Sequence, residues 1–257
     1  FKFITRLQLV ETISLKALFF TEVAIDTLNF ITAVPVGGAV ERMQKALKQE
    51  VHGSRDRFIE KCESAGIRYK IGEIESSWDK ERFVNETRFA DLVVISKQLF
   101  YQNISDFQPN VFMREALHVS ECPVMIIPES FVSIDRIVLA YDGKKESAFA
   151  LKQFTQMFSQ FEEFPIEFVY VKSEEKTEIP DKELLKEYSN AHFDAGNIRE
   201  INILEHHSFS NWLNSLKNVL IISGSYSRSA ASRMVKPSFI SQVIQKNSVP
   251  LFIAHNA

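Results

Sequence analysis

Residues 92–127 (LVVISKQLFYQNISDFQPNVFMREALHVSECPVMII) lie over residues 219–254 (VLIISGSYSRSAASRMVKPSFISQVIQKNSVPLFIA) without a gap. Each copy reads as a buried strand, a polar loop, a helix and a second buried strand. A unit this long that recurs once indicates two copies of one α/β module, not a solenoid built from many short repeats. The segment 128–134 (PESFVSI) is the natural linker, so one domain is expected over residues 1–130 and another over 131–257. Both lengths fall within the usual domain range of about 100–200 residues.

Outward from the repeat, strands are expected over 137–141, 166–171, 200–204, 219–223 and 251–254 of the second half. Helices are expected over 147–161, 181–193, 209–216 and 237–245. The first of these carries Ala148, Leu151, Phe154, Phe158 and Phe161 at helical spacing. In the first half the same order predicts strands over 1–6, 27–34, 69–74, 92–96 and 124–127. The helices between them are expected over 10–24, 38–66 (broken near Gly53), 80–89 and 109–119. Strands alternating with helices imply a parallel sheet, and near-continuous apolar strands imply helices on both faces. The fold class is therefore two tandem doubly wound α/β domains of five parallel-type strands each.

Hydrophobic residues make up 45% of the chain and charged residues 25%, as in an ordinary soluble globular protein. A net charge of −3 argues against a nucleic-acid or acidic-membrane surface. Apolar runs such as Ala17–Phe20 and Val219–Ile222 fall far short of the roughly 20 residues of a membrane span. No signal-peptide pattern is read, and Cys62 and Cys122 are expected to be reduced packing residues, which favours the cytoplasm. The sequons at Asn85 and Asn103 are then chance matches.

Three segments carry a family resemblance: Ala140-Tyr141-Asp142-Gly143, then Gly224-Ser225-Tyr226-Ser227-Arg228-Ser229, then Ser238-Phe239-Ile240. Together they resemble the universal stress protein family, over almost the whole chain, as a tandem of two such domains with an adenine nucleotide alpha hydrolase-like fold. The family motif is G-x2-G-x9-G-[ST], with an Asp closing the first strand. The resemblance implies ATP or AMP bound at the second domain only. There Asp142 and the backbone near Val171 would hold the adenosine end. Gly224, Ser227, Arg228, Ser238 and Phe239 would lie at the phosphates.

The motif is incomplete. Phosphate is held by converging backbone N–H groups at a helix N-terminus, with glycine where no Cβ is tolerated. Gly224 is kept, but the second glycine is Ser227 and the third is Pro237. Proline has no N–H to donate, which forfeits about 1.5–3 kcal/mol to a charged acceptor, although it suits a helix start. In the first half the overlay places Lys97, Phe100, Asn110 and Val111 opposite Gly224, Ser227, Pro237 and Ser238. Sliding 14–18 onto 147–151 puts Leu9 opposite Asp142, so the first-half site reads as lost.

Other chemistry is weaker. Asp142 with Gly143 also reads as an Asx-type turn. The pair His206-His207 has no partner at metal-ligand spacing, so no metal is expected. Neither a G-x-S-x-G elbow nor a Walker Gly-Lys-Ser/Thr occurs, and no catalytic residue is assigned. The 22 phenylalanines fall largely at core spacing.

Two functions are expected. The first is a non-enzymatic stress-response binding or signalling protein that acts through protein contacts with weak or no nucleotide binding. The second is an ATP- or AMP-binding sensor using only the second-domain site. The expected partners are the two domains of the chain for each other, further protein partners and a second copy in a homodimer; nucleic acid and membrane are not expected. By resemblance, the strands at 124–127 and 251–254 should pair and join the halves, since each would otherwise be an exposed apolar edge.

Overall fold

A computed structural model describes residues 1–19, 39–72, 79–96, 111–171, 178–193, 199–203, 212, 215–224 and 249–254. The described elements are α1 (Lys2–Val10), β1 (Ser14–Ala17), α2 (Ala39–Ser64), β2 (Arg68–Ile71), α3 (Lys80–Arg88), β3 (Val93–Ser96), α4 (Val111–Val119) and β4 (Val124–Ile127). They continue as β5 (Arg136–Tyr141), α5 (Lys145–Met157), β6 (Ile166–Val171), α6 (Lys182–His192), β7 (Arg199–Ile203), β8 (Val219–Ser223) and β9 (Leu251–Ile253). Two compact units result, Phe1–Glu81 and Arg82–Ala257.

In the first unit β1 and β2 form a parallel pair, Ser14 opposite Arg68 through Ala17 opposite Ile71. Its opening differs from the expectation. FKFITR alternates like a strand, but Phe3 and Leu7 sit one helical turn apart and α1 buries Phe3. Ser14–Ala17, expected inside a helix, is instead extended, because a long-range ladder to β2 overrides local propensity. No break occurs near Gly53 within α2. The strand expected over 27–34 lies outside the described residues.

In the second unit seven strands form one sheet in the order β3-β4-β9-β8-β5-β6-β7. Every pairing is parallel except β4 with β9. The doubly wound arrangement is clear from β5 onward: the chain steps outward through β6 and β7, then returns to place β8 and β9 on the other side. One face packs on α5 through Phe154 and Phe158, whose rings lie 5.4 and 5.9 Å from that of Phe252. The opposite face collects Ile95, Leu117, Val124, Ile126, Val138, Val169, Ile221 and Ile253. Burying a side chain of this size contributes about 1.5–3 kcal/mol.

The antiparallel pairing of β4 with β9 is the expected strand contact. Met125 stands opposite Phe252, flanked by Val124 with Ile253 and Ile126 with Leu251. The sequence overlay also carries Met125 onto Phe252. At β3 and β8, however, the gapless overlay is one residue out. Val93 N–H donates to Pro123 O at 2.9 Å, whereas Ile221 N–H donates to Pro250 O at 3.0 Å. Pro123 overlays Pro250, so Val93 matches Ile221 rather than Leu220. The packing agrees, since Val93 and Ile95 of β3 and Val219 and Ile221 of β8 share the core face. A one-residue slip exchanges the faces of a strand, so packing decides the register. The connection at 128–134 is tied down by buried Phe131 and Ile134.

Candidate functional site

The sheet order places a topological switch point between β5 and β8, where the chain leaves β5 for opposite sides. In open α/β sheets, ligands bind beyond the carboxyl ends of the strands at such a point. Three of the seven expected site residues are described, and all three stand at that edge. Asp142 follows β5, Val171 ends β6 and Gly224 follows β8. The registers bring them level: Tyr141 pairs with Tyr170, and Ala140 pairs with Ser223. Ser227, Arg228, Ser238 and Phe239 lie outside the described residues, as do Pro237, Lys97, Phe100, Asn110 and the His206-His207 pair.

Asp142 is held by its own turn. One carboxylate oxygen, Oδ1, accepts from Lys144 N–H and from Ser147 Oγ, each at 3.1 Å. The other, Oδ2, lies 3.3 Å from Lys144 Nζ. Ser147 is buried, and its single hydroxyl hydrogen is shared with Lys144 O at 2.8 Å. Gly143 completes the turn at φ 76°, the left-handed region. This is the Asx-type geometry that the sequence offered as the alternative to a ligand role. It anchors the start of α5, whose N-cap Lys144 makes no side-chain cap bond. Asp142 remains about half exposed, so its outer face is open to solvent. Burial, then the Asp181 and Asp142 carboxylates, pushes the neighbouring Tyr141 hydroxyl above its ordinary value.

Gly224 lies close against the first turn of α5. A Cβ there would lie 2.6 Å from the Glu146 carbonyl carbon and 2.7 Å from Ser147 N. The glycine thus lets β8's exit pass against the first turn of α5. Gly143 is similarly crowded, with a Cβ only 2.6 Å from Pro180 Cγ. Sequence reasoning missed Lys144, Ser147 and Pro180 as parts of this edge. The spacing Asp142-x-Lys144-x-x-Ser147 at a strand-to-helix turn is the signal that could have found the first two.

By the ladder register Ser96, not Lys97, stands at the position of Gly224. Leu9, overlaid on Asp142, lies instead on α1 and is exposed. That alignment fails because residues 14–17 are strand. An open hollow of about 580 Å³ lined by Glu162, Glu163, Ala191, His192 and Phe193 sits at the opposite end of the sheet from Asp142. Among the described residues no group of His, Cys, Asp and Glu could hold a metal ion, and no helix is long and apolar enough to cross a membrane.

A parallel-dominated α/β sheet, doubly wound from β5 onward, with a strand-end Asp and Gly at its switch point, defines the class of architecture. Within that class, the chain has a universal-stress-protein-like fold. A universal stress protein from Archaeoglobus fulgidus DSM 4304 superposes with a TM-score of 0.71 at 16% identity, covering 100% of this chain and 90% of that one. A putative universal stress protein from Pseudomonas aeruginosa UCBPP-PA14 gives 0.52 at 10% identity, with 94% and 92% covered. A functionally unknown protein from Pseudomonas aeruginosa PAO1 gives 0.54 at 8% identity over the same shares. No family model matches the sequence, and no curated protein matches it.

Proposed function

We propose that this chain is a stress-response binding or signalling protein of the universal stress type, acting through protein contacts with weak or no nucleotide binding. The observation that carries the reading is the packing of Gly224 against α5. The one motif glycine kept in the second half lets the end of β8 lie against the first turn of α5, and this use needs no ligand. The engaged carboxylate of Asp142 and the missing amide of Pro237 support the same reading. No catalytic step is assigned to the chain.

The tandem division at 1–130 and 131–257 belongs to the same proposal. Its support is the pairing of Met125 with Phe252, two positions that the repeat makes equivalent. A cytoplasmic location is proposed from the free state of Cys62 and Cys122. Homodimerisation through other surfaces and unidentified protein partners complete it.

A second reading, an ATP or AMP sensor using only the second-half site, is favoured by one observation. Asp142, Val171 and Gly224 stand level at the switch point. Calorimetric titration with ATP, with and without magnesium, separates the two. The unaltered protein is expected to bind no ATP up to millimolar concentration. A Ser227→Gly/Pro237→Gly variant regains one amide donor and two glycines, and is expected to bind about ten- to a hundredfold more tightly than the parent. Near-stoichiometric ATP bound to the unaltered protein at micromolar concentration would overturn the first reading in favour of the sensor.

A further inference from the structure

We propose that Asp142-Gly143 is a covalent modification site, at which the chain isomerises to isoaspartate, and that the bonds of the turn gate the reaction. The inference stands apart from any ligand or partner of this edge. Asp142-Gly143 is the one place among the 257 residues where Asp or Asn precedes glycine. Glycine has no side chain to shield its own amide nitrogen, which can therefore reach the carboxyl carbon of the residue before it. Water has access, since the Asp142 side chain is 54% exposed.

The reaction needs no co-reactant but water. The Gly143 nitrogen attacks Asp142 Cγ and a new C–N bond forms. One carboxylate oxygen leaves as water, taking the amide proton and one proton from solvent. A second water then opens the cyclic imide. Attack at Cγ restores aspartate. Attack at the former main-chain carbonyl leaves the chain running through the Asp142 methylene, with a free carboxylate on Cα.

The folded turn opposes this attack. Oδ1 accepts from Lys144 N–H and Ser147 Oγ, each at 3.1 Å, and Oδ2 lies 3.3 Å from Lys144 Nζ, so both oxygens of the reacting carboxyl are engaged. Gly143 is packed as well, because a Cβ there would lie 2.6 Å from Pro180 Cγ and 2.9 Å from Pro180 Cβ. Closing the imide ring turns the carboxyl out of its bonds to Lys144 and Ser147, so the reaction proceeds from an opened turn. Such local openings cost less free energy than global unfolding. The product fits the closed turn badly. Its extra backbone methylene must be taken up beside Pro180 or in the first turn of α5, where Gly224 leaves no slack against Glu146 and Ser147. Its carboxylate, now on Cα, no longer stands where Lys144 N–H and Ser147 Oγ converge. Isomerisation therefore loosens the start of α5.

The test follows isoaspartate at position 142 during incubation at neutral pH, by electron-transfer mass spectrometry of proteolytic digests. Three samples are compared: the synthetic peptide of residues 140–148 (AYDGKKESA), the 257-residue chain, and its Ser147→Ala variant. The peptide has no turn to open and is expected to react fastest, with the folded chain at least about tenfold slower. Ser147→Ala removes one hydrogen bond to a charged acceptor and is expected to speed the folded chain about tenfold. If that variant does not fold, the unaltered chain in urea below its unfolding transition supplies the second measurement. Its rate should rise less steeply with urea than the unfolded fraction read by circular dichroism, as a local opening requires. Three outcomes would overturn the proposal. The peptide forms no isoaspartate, or the folded chain reacts as fast as the peptide. In the third, the folded rate is unmoved by Ser147→Ala or follows the globally unfolded fraction alone.

Discussion

Substituting Gly224 by alanine distinguishes a glycine that packs from a glycine that cradles phosphate. The added Cβ would meet the Glu146 carbonyl carbon at 2.6 Å, Ser147 N at 2.7 Å and Glu146 Cβ at 2.9 Å. Atoms in contact rest at about 3.5–4.0 Å, so each distance is short by more than half an ångström. Two of the three are backbone atoms in the first turn of α5 and cannot rotate aside. Relief requires moving that turn, which also carries Ser147 and its bond to Asp142.

Overpacking of this kind costs about 1–3 kcal/mol. Against it stands about 0.4–1 kcal/mol from the stiffer unfolded chain that alanine brings. The net expectation is a loss of about 1–2 kcal/mol. Equilibrium urea unfolding reads it: with a slope of about 2 kcal/mol per molar, the midpoint falls by roughly 0.5–1 M. A midpoint at or above that of the unaltered protein would refute the packing argument. A phosphate-cradling role alone would leave the midpoint in place and change only ligand affinity.

Two further outcomes follow from the same coordinates. Phe252→Ala removes a fully buried ring that meets Phe154 and Phe158, and is expected to cost about 3–5 kcal/mol in the same unfolding assay; a loss below 1 kcal/mol would contradict the aromatic packing. The Arg88 guanidinium binds both oxygens of Glu121; its hydrogen bond, opposed by desolvation and aided by its charge, holds that carboxyl below the usual carboxylate range. The pair therefore stabilises the fold above the ordinary glutamate value and is lost as pH falls through the lowered one. NMR titration should find the Glu121 midpoint depressed and Arg88→Ala should return it upward; an unmoved midpoint would exclude the pair in solution.

Legibility in the sequence varied with the range of the interactions that decide each element. The strands 166–171, 219–223 and 124–127 match the structure to the residue, because each is a short, largely apolar run with polar or turn residues at its ends. Residues 1–17 were misread because their pattern is ambiguous locally. Phe1 to Arg6 alternates, yet one buried Phe3 fixes a helix, and Ser14–Ala17 is extended only because β2 lies beside it. The one-residue slip at β3 was likewise invisible, since LVVIS and VLIIS fit each other in either register. At the site, the strand-end position of Asp142 was readable, but the crowding of Gly224 was not. A glycine's neighbours across space leave no trace in the residues beside it.

The pairing of Met125 with Phe252 has a consequence for how such a chain can change. Were β4 and β9 supplied by two identical subunits, the residue on the axis would face its own copy, and any substitution there would enter twice. On the tandem reading the two positions are encoded separately. One can be a flexible thioether and the other a rigid ring, complementary in shape rather than alike, and a change at either is felt once. Freed from self-matching, the seam can hold while the two flanking halves diverge. On that reading, Ser96 at the end of β3 and Gly224 at the end of β8 are the kind of inequality that such a seam permits.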